Sequence, residues 1–266
     1  MKLGFDCHAH VYSTINDTLG SNYRPSRPAP VGVWQQNLNK CDLLGGVIVQ
    51  PSFLGNDNTM LLERLTQLGS HYRGVVQLPK DASYQTMLAL SAAGVVGVRW
   101  NLVERRSELP DLDDPEWQSF LKQLKLLDWH LELHLESVRL PEILPALQES
   151  GVTLVIDHFG LPQQDDPQYD KGFCLLLEMA NTGRVWVKMS APYRSPVKTL
   201  KPYIQALLAH LGRERLVWGS DWPWTRHENK HSYLDTYHWL STWVPNMDDR
   251  HYILNNSPRT LFKFDT

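Results

Sequence analysis

The chain has 266 residues, of which 42% are hydrophobic and 21% are charged, and its formal net charge is −3 at pH 7. This composition is typical of a globular protein and excludes a disordered, a collagen-like or a coiled-coil chain, while the length suits a single α/β barrel of about 250 residues. Basic and acidic residues are interspersed without a Lys/Arg-rich run, so we expect no nucleic-acid partner and no membrane partner.

Short apolar runs alternate with longer amphipathic segments, which predicts β-strands that alternate with α-helices. The predicted strands are Leu3–Asp6, Gly46–Gln50, Gly74–Leu78, Val95–Trp100, His130–Leu135, Thr153–Asp157, Val185–Met189 and Leu216–Gly219. The segments of helical character are Asn58–Gly69, Trp117–Leu127, Leu140–Ser150, Phe173–Gly183 and Pro202–Leu211. Eight strands in this alternation favour one (β/α)8 TIM barrel over residues 1–266.

Two further features complete the predicted organisation. A doubly wound open sheet is the alternative fold, but no GxGxxG or GxxxxGK[ST] motif follows the first strand. The proline-containing segment 12–37 predicts an irregular loop over the mouth of the barrel.

The cysteines and the N-terminus indicate the cellular compartment. Cys7, Cys41 and Cys174 are widely spaced without a CxxC pair, so neither a disulfide framework nor a structural zinc site is predicted. The start MKLGFDCHAH turns polar at once, unlike a signal peptide, and no apolar stretch approaches about 18 residues. We therefore expect a cytoplasmic protein.

Polar side chains stand at the carboxyl end of nearly every predicted strand, where the reactive groups of an α/β barrel lie. They are Asp6, His8, His10, Gln50, Ser52, Arg99, Asn101, His134, Glu136, His158, Lys188, Ser190, Arg194 and Asp221. Because clustered polar groups are costly to bury, this distribution predicts a functional site.

His8 and His10 are two residues apart on an extended strand, so both imidazoles face the same side. Together with His134, His158 and Asp221 they form a nitrogen and oxygen donor set suited to Zn²⁺ or Mn²⁺. Chance spacing is the alternative for an HxH pair in a chain with 11 histidines, but the whole constellation favours metal binding or catalysis. Asp221 either binds the metal or activates water as a general base, with a turn role as the structural alternative.

Three arginines indicate an anionic ligand. Arg99 ends an apolar strand, where a guanidinium group is costly unless it meets an anion, so anion binding is favoured over an internal salt bridge. Arg105 and Arg194 lie in loops, where both anion binding and simple solvation stay open. No GxSxG motif occurs and Cys7 lacks an activating context, which favours water activation over a covalent acyl-enzyme.

The motifs DCHAH (6–10), VIDHFG (155–160) and GSDWPW (219–224) resemble the amidohydrolase superfamily, in its amidohydrolase-related (type 2) family. The segments QPSFLGNDN (50–58), GVRWNLVERR (97–106) and VKMSAPYR (187–194) are similar to the 2-pyrone-4,6-dicarboxylate lactonase branch of that family. The resemblance runs from residue 3 to about residue 264 and implies a (β/α)8 fold with hydrolysis of a small carboxylated lactone.

The resemblance also implies a role for each matching residue. Asp221 is the general base, and His8, His10 and His158 polarise the carbonyl and hold the oxyanion. The residues that bind substrate carboxylates are Arg99, Arg105, Arg194 and Ser52.

The metal requirement stays open in this resemblance. The set His8, His10, His134 and Asp221 is complete for one Zn²⁺ or Mn²⁺, as in metal-dependent members. Lactonases of this branch can instead work without metal, and His134 then binds or orients the substrate. Arg99 stands where binuclear members carry a modified lysine, which argues against two metals.

Three alternatives to a carboxylated-lactone hydrolase remain at this point. They are a metal-dependent decarboxylase of the same family, a sugar lactonase, and a barrel that binds a ligand without turnover. Apolar helix faces would permit a homo-oligomer but specify none.

Overall fold

Eight parallel strands, paired in chain order, form one sheet in the computed structural model, which describes residues 3–13, 25–103 and 108–265. The strands are β1 (Phe5–Ala9), β2 (Gly45–Val49), β3 (Tyr72–Val76), β4 (Val95–Asn101), β5 (His130–His134), β6 (Thr153–Ile156), β7 (Val185–Met189) and β8 (Leu216–Trp218). All eight were predicted, with bounds that differ by at most three residues. The sheet curves into a nearly closed barrel, which confirms the predicted (β/α)8 fold.

The barrel closes at the carboxyl ends of the first and last strands. The Asp221 amide donates to the His8 carbonyl at 2.9 Å, and the His10 amide donates to the Trp222 carbonyl at 2.7 Å. These bonds join the segment after β8 to the end of β1. As a consequence, the predicted histidine pair and the predicted carboxylate are neighbours.

Helices cover the outside of the sheet. They are α1 (Val31–Lys40), α2 (Thr59–Leu68), α3 (Tyr84–Ala92), α4 (Pro115–Leu126), α5 (Leu144–Ser150), α6 (Lys171–Glu178), α7 (Lys201–Leu211), α8 (Tyr233–Trp243), α9 (Met247–His251) and α10 (Ser257–Phe262). The five predicted helical segments correspond to α2, α4, α5, α6 and α7. Among the described residues, no helix combines the length and apolarity needed to cross a membrane.

Helix α1 corrects the predicted irregular loop over 12–37, because residues 31–37 are helical. Trp34 and Leu38, four residues apart, form its buried face. Pro30 stands at the N-cap and not inside the helix, a position where its missing amide hydrogen costs nothing. Residues 14–24 of the predicted loop lie outside the described part of the chain.

Apolar side chains fill the barrel at the amino ends of its strands. Phe5 at the start of β1 stacks on Phe264 at 3.9 Å between ring centroids, and Phe262 and Val96 belong to the same buried cluster. The C-terminal segment thus closes the end of the barrel opposite to the polar residues. The predicted polar strand-end residues lie at the carboxyl ends of the strands, where the reactive groups of α/β barrels are found.

Candidate active site

Asp221 lies at the centre of three histidines. Its Oδ1 atom is 3.6 Å from His8 Nε2, 3.8 Å from His10 Nε2 and 3.8 Å from His158 Nε2. All four side chains are buried, and Oδ1 accepts no hydrogen bond from the described residues. One carboxylate oxygen thus points toward the imidazoles without a hydrogen-bond partner among the described residues.

The other oxygen of Asp221 is held firmly in place. Oδ2 accepts from Tyr193 Oη at 2.6 Å, and from Arg194 Nε and Nη2 at 2.9 and 2.6 Å. These bonds fix the rotation of the carboxylate, so that Oδ1 faces the histidines. Tyr193 was not predicted as a site residue: it lies in the VKMSAPYR segment (187–194) that carries the resemblance, but no role was assigned to it.

Asp6 anchors the loop that carries Asp221. Its carboxylate accepts from the Ser220 amide at 2.8 Å, from Ser220 Oγ at 2.6 Å and from Tyr233 Oη at 2.8 Å. Trp34 Nε1 of α1 donates to the same carboxylate at 2.9 Å. One buried acid therefore ties two helices and the loop after β8 to the first strand.

Left-handed backbone conformations gather at the same end of the barrel. Non-glycine residues with positive φ after β6, β7 and β8 are His158, Phe159, Leu161, Ala191, Asp221, Trp224 and Arg226. Such conformations cost about 1–3 kcal/mol each and concentrate at functional sites. Their position agrees with a site built from these three loops.

The four histidines of the site are neutral at pH 7. Burial and the Arg99 guanidinium lower the pKa of His10 to about 4, and burial lowers the pKa of His158 to about 3. Burial also lowers the pKa values of His8 and His134 well below their usual range. Neutral imidazoles can each offer one N–H and one lone pair, which suits hydrogen bonding to a carbonyl and to water.

Asp221, in contrast, is ionised. Burial opposes its charge, but Arg194, the strongest opposing group, and the other groups around the carboxylate together outweigh burial and keep the pKa of the carboxyl well below its usual range. The two groups affect each other, since Asp221 helps to raise the pKa of Arg194, whereas burial lowers it. The site therefore contains a carboxylate base among neutral histidines.

Arg99 makes the internal salt bridge that sequence reasoning treated as the weaker alternative. Its Nε donates to Asp157 Oδ2 at 2.8 Å, and its Nη2 lies 2.9 Å from His134 Nδ1. The arginine is only 4% exposed but also lines the open cavity described below. One guanidinium thus braces β6 from β4 and presents positive charge to a ligand.

Lys188 on β7 lies fully buried beneath the histidines. Its ammonium group forms an ion pair with Glu132 of β5 and lies 3.5 Å from Asp157 Oδ1. It also lies 3.0 Å from Nδ1 of His8. The glutamate and Asp157 balance the charges of the buried lysine and of Arg99.

A cavity of about 130 Å³ opens in front of these groups. Its walls include His10, Ser52, Phe53, Arg99, Asn101, Val103, His134, Arg194, Thr225 and Arg226. Three guanidinium groups contribute to a space the size of a small organic acid. Asp221 lies behind this wall with 0% exposure, covered by Arg194.

The predicted residues thus divide into three sets. Asp221 meets His8, His10 and His158 directly, whereas Ser52, Arg99, His134 and Arg194 line the cavity. Arg105 lies outside the described residues. Sequence reasoning missed Arg226 and Tyr193 as site residues. It named Lys188 as a polar strand-end residue, but not its ion pair with Glu132.

Three of the four predicted metal ligands come together, because Nε2 of His8, Nε2 of His10 and Oδ1 of Asp221 lie 3.4–3.8 Å from one another. His8 and Asp221 can meet at one ion together with His158, since their ligand atoms lie within 4.8 Å of one another. His134 belongs to a different group, with Asp157 and His158. Within the described residues the donor types of these clusters suit a metal ion. Nδ1 of His8 lies 3.0 Å from the Lys188 ammonium group and 3.4 Å from Asp157 Oδ1, whereas a metal-binding histidine donates from its second nitrogen to an acceptor, so the lysine is the nearer and unsuitable partner.

A family model described as Amidohydrolase matches residues 5–264. The chain belongs to the amidohydrolase family. The solved structure of a candidate 2-pyrone-4,6-dicarboxylic acid hydrolase from Pseudomonas putida is 38% identical, with a TM-score of 0.91 over 100% of this chain and 99% of that chain.

Two further relatives agree with the lactonase branch of the amidohydrolases. A candidate 2-pyrone-4,6-dicarboxylic acid hydrolase from Acinetobacter baumannii, solved with citric acid bound, is 33% identical, with a TM-score of 0.90 over 99% of this chain and 100% of that chain. The 2-pyrone-4,6-dicarboxylate hydrolase of Comamonas testosteroni is 28% identical over 82% of this chain and 76% of its own length. The family predicted from the motifs is confirmed.

Proposed function

We propose that this amidohydrolase hydrolyses the lactone ring of a small compound that carries one or more carboxylates. The observation that carries the proposal is the free Oδ1 atom of Asp221, which faces three neutral imidazoles beside a cavity lined by guanidinium groups. A carboxylate base next to carbonyl-polarising N–H groups is the machinery of water addition to an ester. The guanidinium groups supply the preference for an acidic ester.

Substrate carboxylates would bind to the arginines of the cavity. Arg99 and Arg194 both line the cavity, and Ser52 adds a neutral hydroxyl to the same lining. A guanidinium fork matches the two oxygens of a carboxylate. The Acinetobacter baumannii relative was solved with citric acid bound, a compound that carries three carboxylates.

Arg194 has a second task in this proposal. It covers Asp221 and occupies Oδ2 with two hydrogen bonds. A substrate carboxylate that draws the guanidinium group toward the cavity would open the path between the ligand and Oδ1. Binding of the correct substrate would thereby expose the base, whereas a neutral lactone would leave it covered.

The reaction then proceeds by addition of water and loss of the ring oxygen. Asp221 Oδ1 takes a proton from water while the water oxygen bonds to the lactone carbonyl carbon. N–H groups of His8 and His158 stabilise the resulting oxyanion. The carbonyl reforms as the bond from carbon to the ring oxygen breaks, and Asp221 returns its proton to that leaving oxygen.

His10 has a different part from the one that the resemblance implies. Its Nδ1 lies 2.8 Å from the Val49 carbonyl, which can only accept, so the ring proton is on Nδ1. Nε2 of His10 is therefore an acceptor toward the site. We assign it the orientation of the attacking water, because it cannot donate to an oxyanion.

We further propose that no metal ion is required. Asp221 is already ionised in its surroundings, in which Arg194 is the strongest charge-stabilising group, and the polarising groups are imidazoles. Every step above is therefore assigned to a side chain of this chain. A bound Zn²⁺ or Mn²⁺ would supply acidified water at the same place. Dialysis against a chelator, followed by metal analysis and assay of the same sample, separates the two cases.

The test is a panel of ring-matched lactones with no, one or two carboxylates, with 2-pyrone-4,6-dicarboxylate as the doubly charged member. Ring opening is followed by ultraviolet absorbance and the product by mass. We expect kcat/KM to rise by about 10-fold or more per carboxylate, as expected for a hydrogen-bonded charge contact of about 1.5–3 kcal/mol. Equal rates across the panel, or release of CO₂ in place of a ring-opened acid, would overturn the proposal.

A further inference from the structure

Lys188 contacts a catalytic histidine from below, outside the cavity, and the reaction described above does not use it. Its Nζ atom is 0% exposed and lies 3.0 Å from His8 Nδ1. The ammonium group can only donate hydrogen bonds. Its ion pair with Glu132 offsets its charge within the barrel.

Two positions are open to the proton of the neutral His8 ring. On Nδ1 it would point toward Asp157 Oδ1 at 3.4 Å, but an N–H group would then face the ammonium group at 3.0 Å. On Nε2 it leaves the Nδ1 lone pair for Lys188, and the N–H points into the site. The contact of Nδ1 with Lys188 is shorter than its contact with Asp157, so the proton is placed on Nε2. In agreement with this, Asp157 Oδ1 accepts no hydrogen bond from the described residues.

The surroundings of Nε2 agree with this arrangement. His8 Nε2 lies 3.4 Å from His10 Nε2, which is unprotonated because His10 donates from Nδ1 to the Val49 carbonyl. A proton on His8 Nε2 is thus directed at a lone pair on one side and at Asp221 Oδ1 on the other. Without that proton the lone pairs of His8 Nε2 and His10 Nε2 and the Oδ1 atom of Asp221 would face and repel one another.

We propose that Lys188 is a positioning residue that fixes His8 as an Nε2–H donor toward the reacting carbonyl. The same contact disfavours a metal ion on His8 Nε2, because such a ligand must move its proton to Nδ1, against the ammonium group. The tautomer follows from the contacts alone, whereas its effect on turnover rests on the proposed function.

The decisive measurement is the ¹⁵N spectrum of histidine-labelled wild-type protein at neutral pH, with the His8 signals assigned by their loss in His8→Asn. We expect a protonated Nε2 and a pyridine-type Nδ1 for His8. A protonated Nδ1 in the wild type would overturn the proposal, whether or not any variant folds.

A matched pair of variants tests the part played by the lysine. Glu132→Gln keeps the ammonium group, and we expect its His8 to keep the Nε2–H form. Lys188→Met/Glu132→Gln removes the ammonium group without leaving a buried charge unpaired, and we expect the proton to move to Nδ1, toward Asp157. An unchanged tautomer in the folded double variant would show that Lys188 does not set it.

Zinc affinity and kinetics give two further readouts. By equilibrium dialysis, the double variant should bind Zn²⁺ about 10- to 100-fold more tightly than Glu132→Gln, the range found for changes in a ligand's outer contact. Its kcat should fall by about 10²-fold with KM nearly unchanged, as for the loss of one oxyanion donor. No turnover of any lactone would overturn the proposed function but not the tautomer, and full turnover with an Nδ1–H spectrum would overturn only the tautomer.

Discussion

Asp221→Asn removes the base and preserves its shape. The amide oxygen can still accept from Tyr193 and Arg194, and the amide nitrogen then occupies the place of Oδ1, 3.8 Å from the His158 and His10 nitrogens. We therefore expect the variant to fold. Loss of a general base lowers kcat by about 10²- to 10⁴-fold, which corresponds to about 3–5 kcal/mol of the activation barrier.

The assay is initial-rate hydrolysis of 2-pyrone-4,6-dicarboxylate, with substrate affinity measured separately by calorimetry on the inactive variant. Asp170→Asn is the matched control. Asp170 is also a buried carboxylate, but it accepts from Ser137 and caps α6 through the Phe173 amide, away from the cavity. The control should lose thermal stability and keep its kcat. A kcat for Asp221→Asn within tenfold of the wild type would refute the assignment of the base.

Three other predictions concern neighbouring groups. Tyr193→Phe removes a 2.6 Å hydrogen bond to the catalytic carboxylate, so kcat should fall by about 10-fold or more while KM hardly changes, as steady-state kinetics would reveal. Arg99→Met leaves Asp157 without its main cation, which should lower the free energy of unfolding by about 3–5 kcal/mol and raise the KM for a carboxylated substrate. Addition of Asp157→Asn should restore the melting temperature but leave the KM raised. In the folded protein the pKa values of His10 and His158 are lowered to about 4 and about 3. Below about pH 6.5 these histidines therefore bind protons in the unfolded chain but not in the folded chain, and folding becomes less favourable as the pH falls. From His10 alone, the free energy of unfolding should fall by about 3 kcal/mol between about pH 6.5 and pH 4. Urea denaturation across that range checks this, and a His10→Gln variant with an equally steep pH dependence would contradict it.

The sequence was informative wherever a polar residue ended an apolar strand. Asp221 after LVWGS and His158 after TLVID break runs that are otherwise buried, so their positions at the carboxyl ends of neighbouring strands could be predicted from periodicity. The barrel followed from the same alternation of strands and helices. Its closure then placed the first strand beside the last, and with it His8 beside Asp221.

Other features depend on contacts between residues that are distant in the chain. Tyr193 reaches Asp221 across 28 positions, and its place in the segment VKMSAPYR does not show which residue it contacts. Helix α1 was not predicted for two reasons: prolines precede it, and its buried face consists of only Trp34 and Leu38, which gives a weak helical periodicity. A signal for Lys188 did exist, because Glu132 in the middle of the strand HLELH requires a buried cation.

The residue type of Arg99 also could not show that this side chain both pairs with Asp157 and lines the cavity. A buried arginine at a strand end indicates an anion, but not whether that anion belongs to the protein or to a ligand. The structure supplies Asp157 for one edge of the guanidinium group and the cavity for the rest. The internal salt bridge is therefore observed, while binding of a ligand anion by the same side chain stays a prediction.

The most direct test of the proposed function is hydrolysis of 2-pyrone-4,6-dicarboxylate by the purified protein before and after exhaustive chelation, with metal content measured on the same samples. The account predicts ring opening at an unchanged rate in the metal-depleted protein. Turnover that is lost on chelation and restored by Zn²⁺ or Mn²⁺ would contradict the metal-independent mechanism, and no ring opening in either sample would contradict the assignment of this substrate.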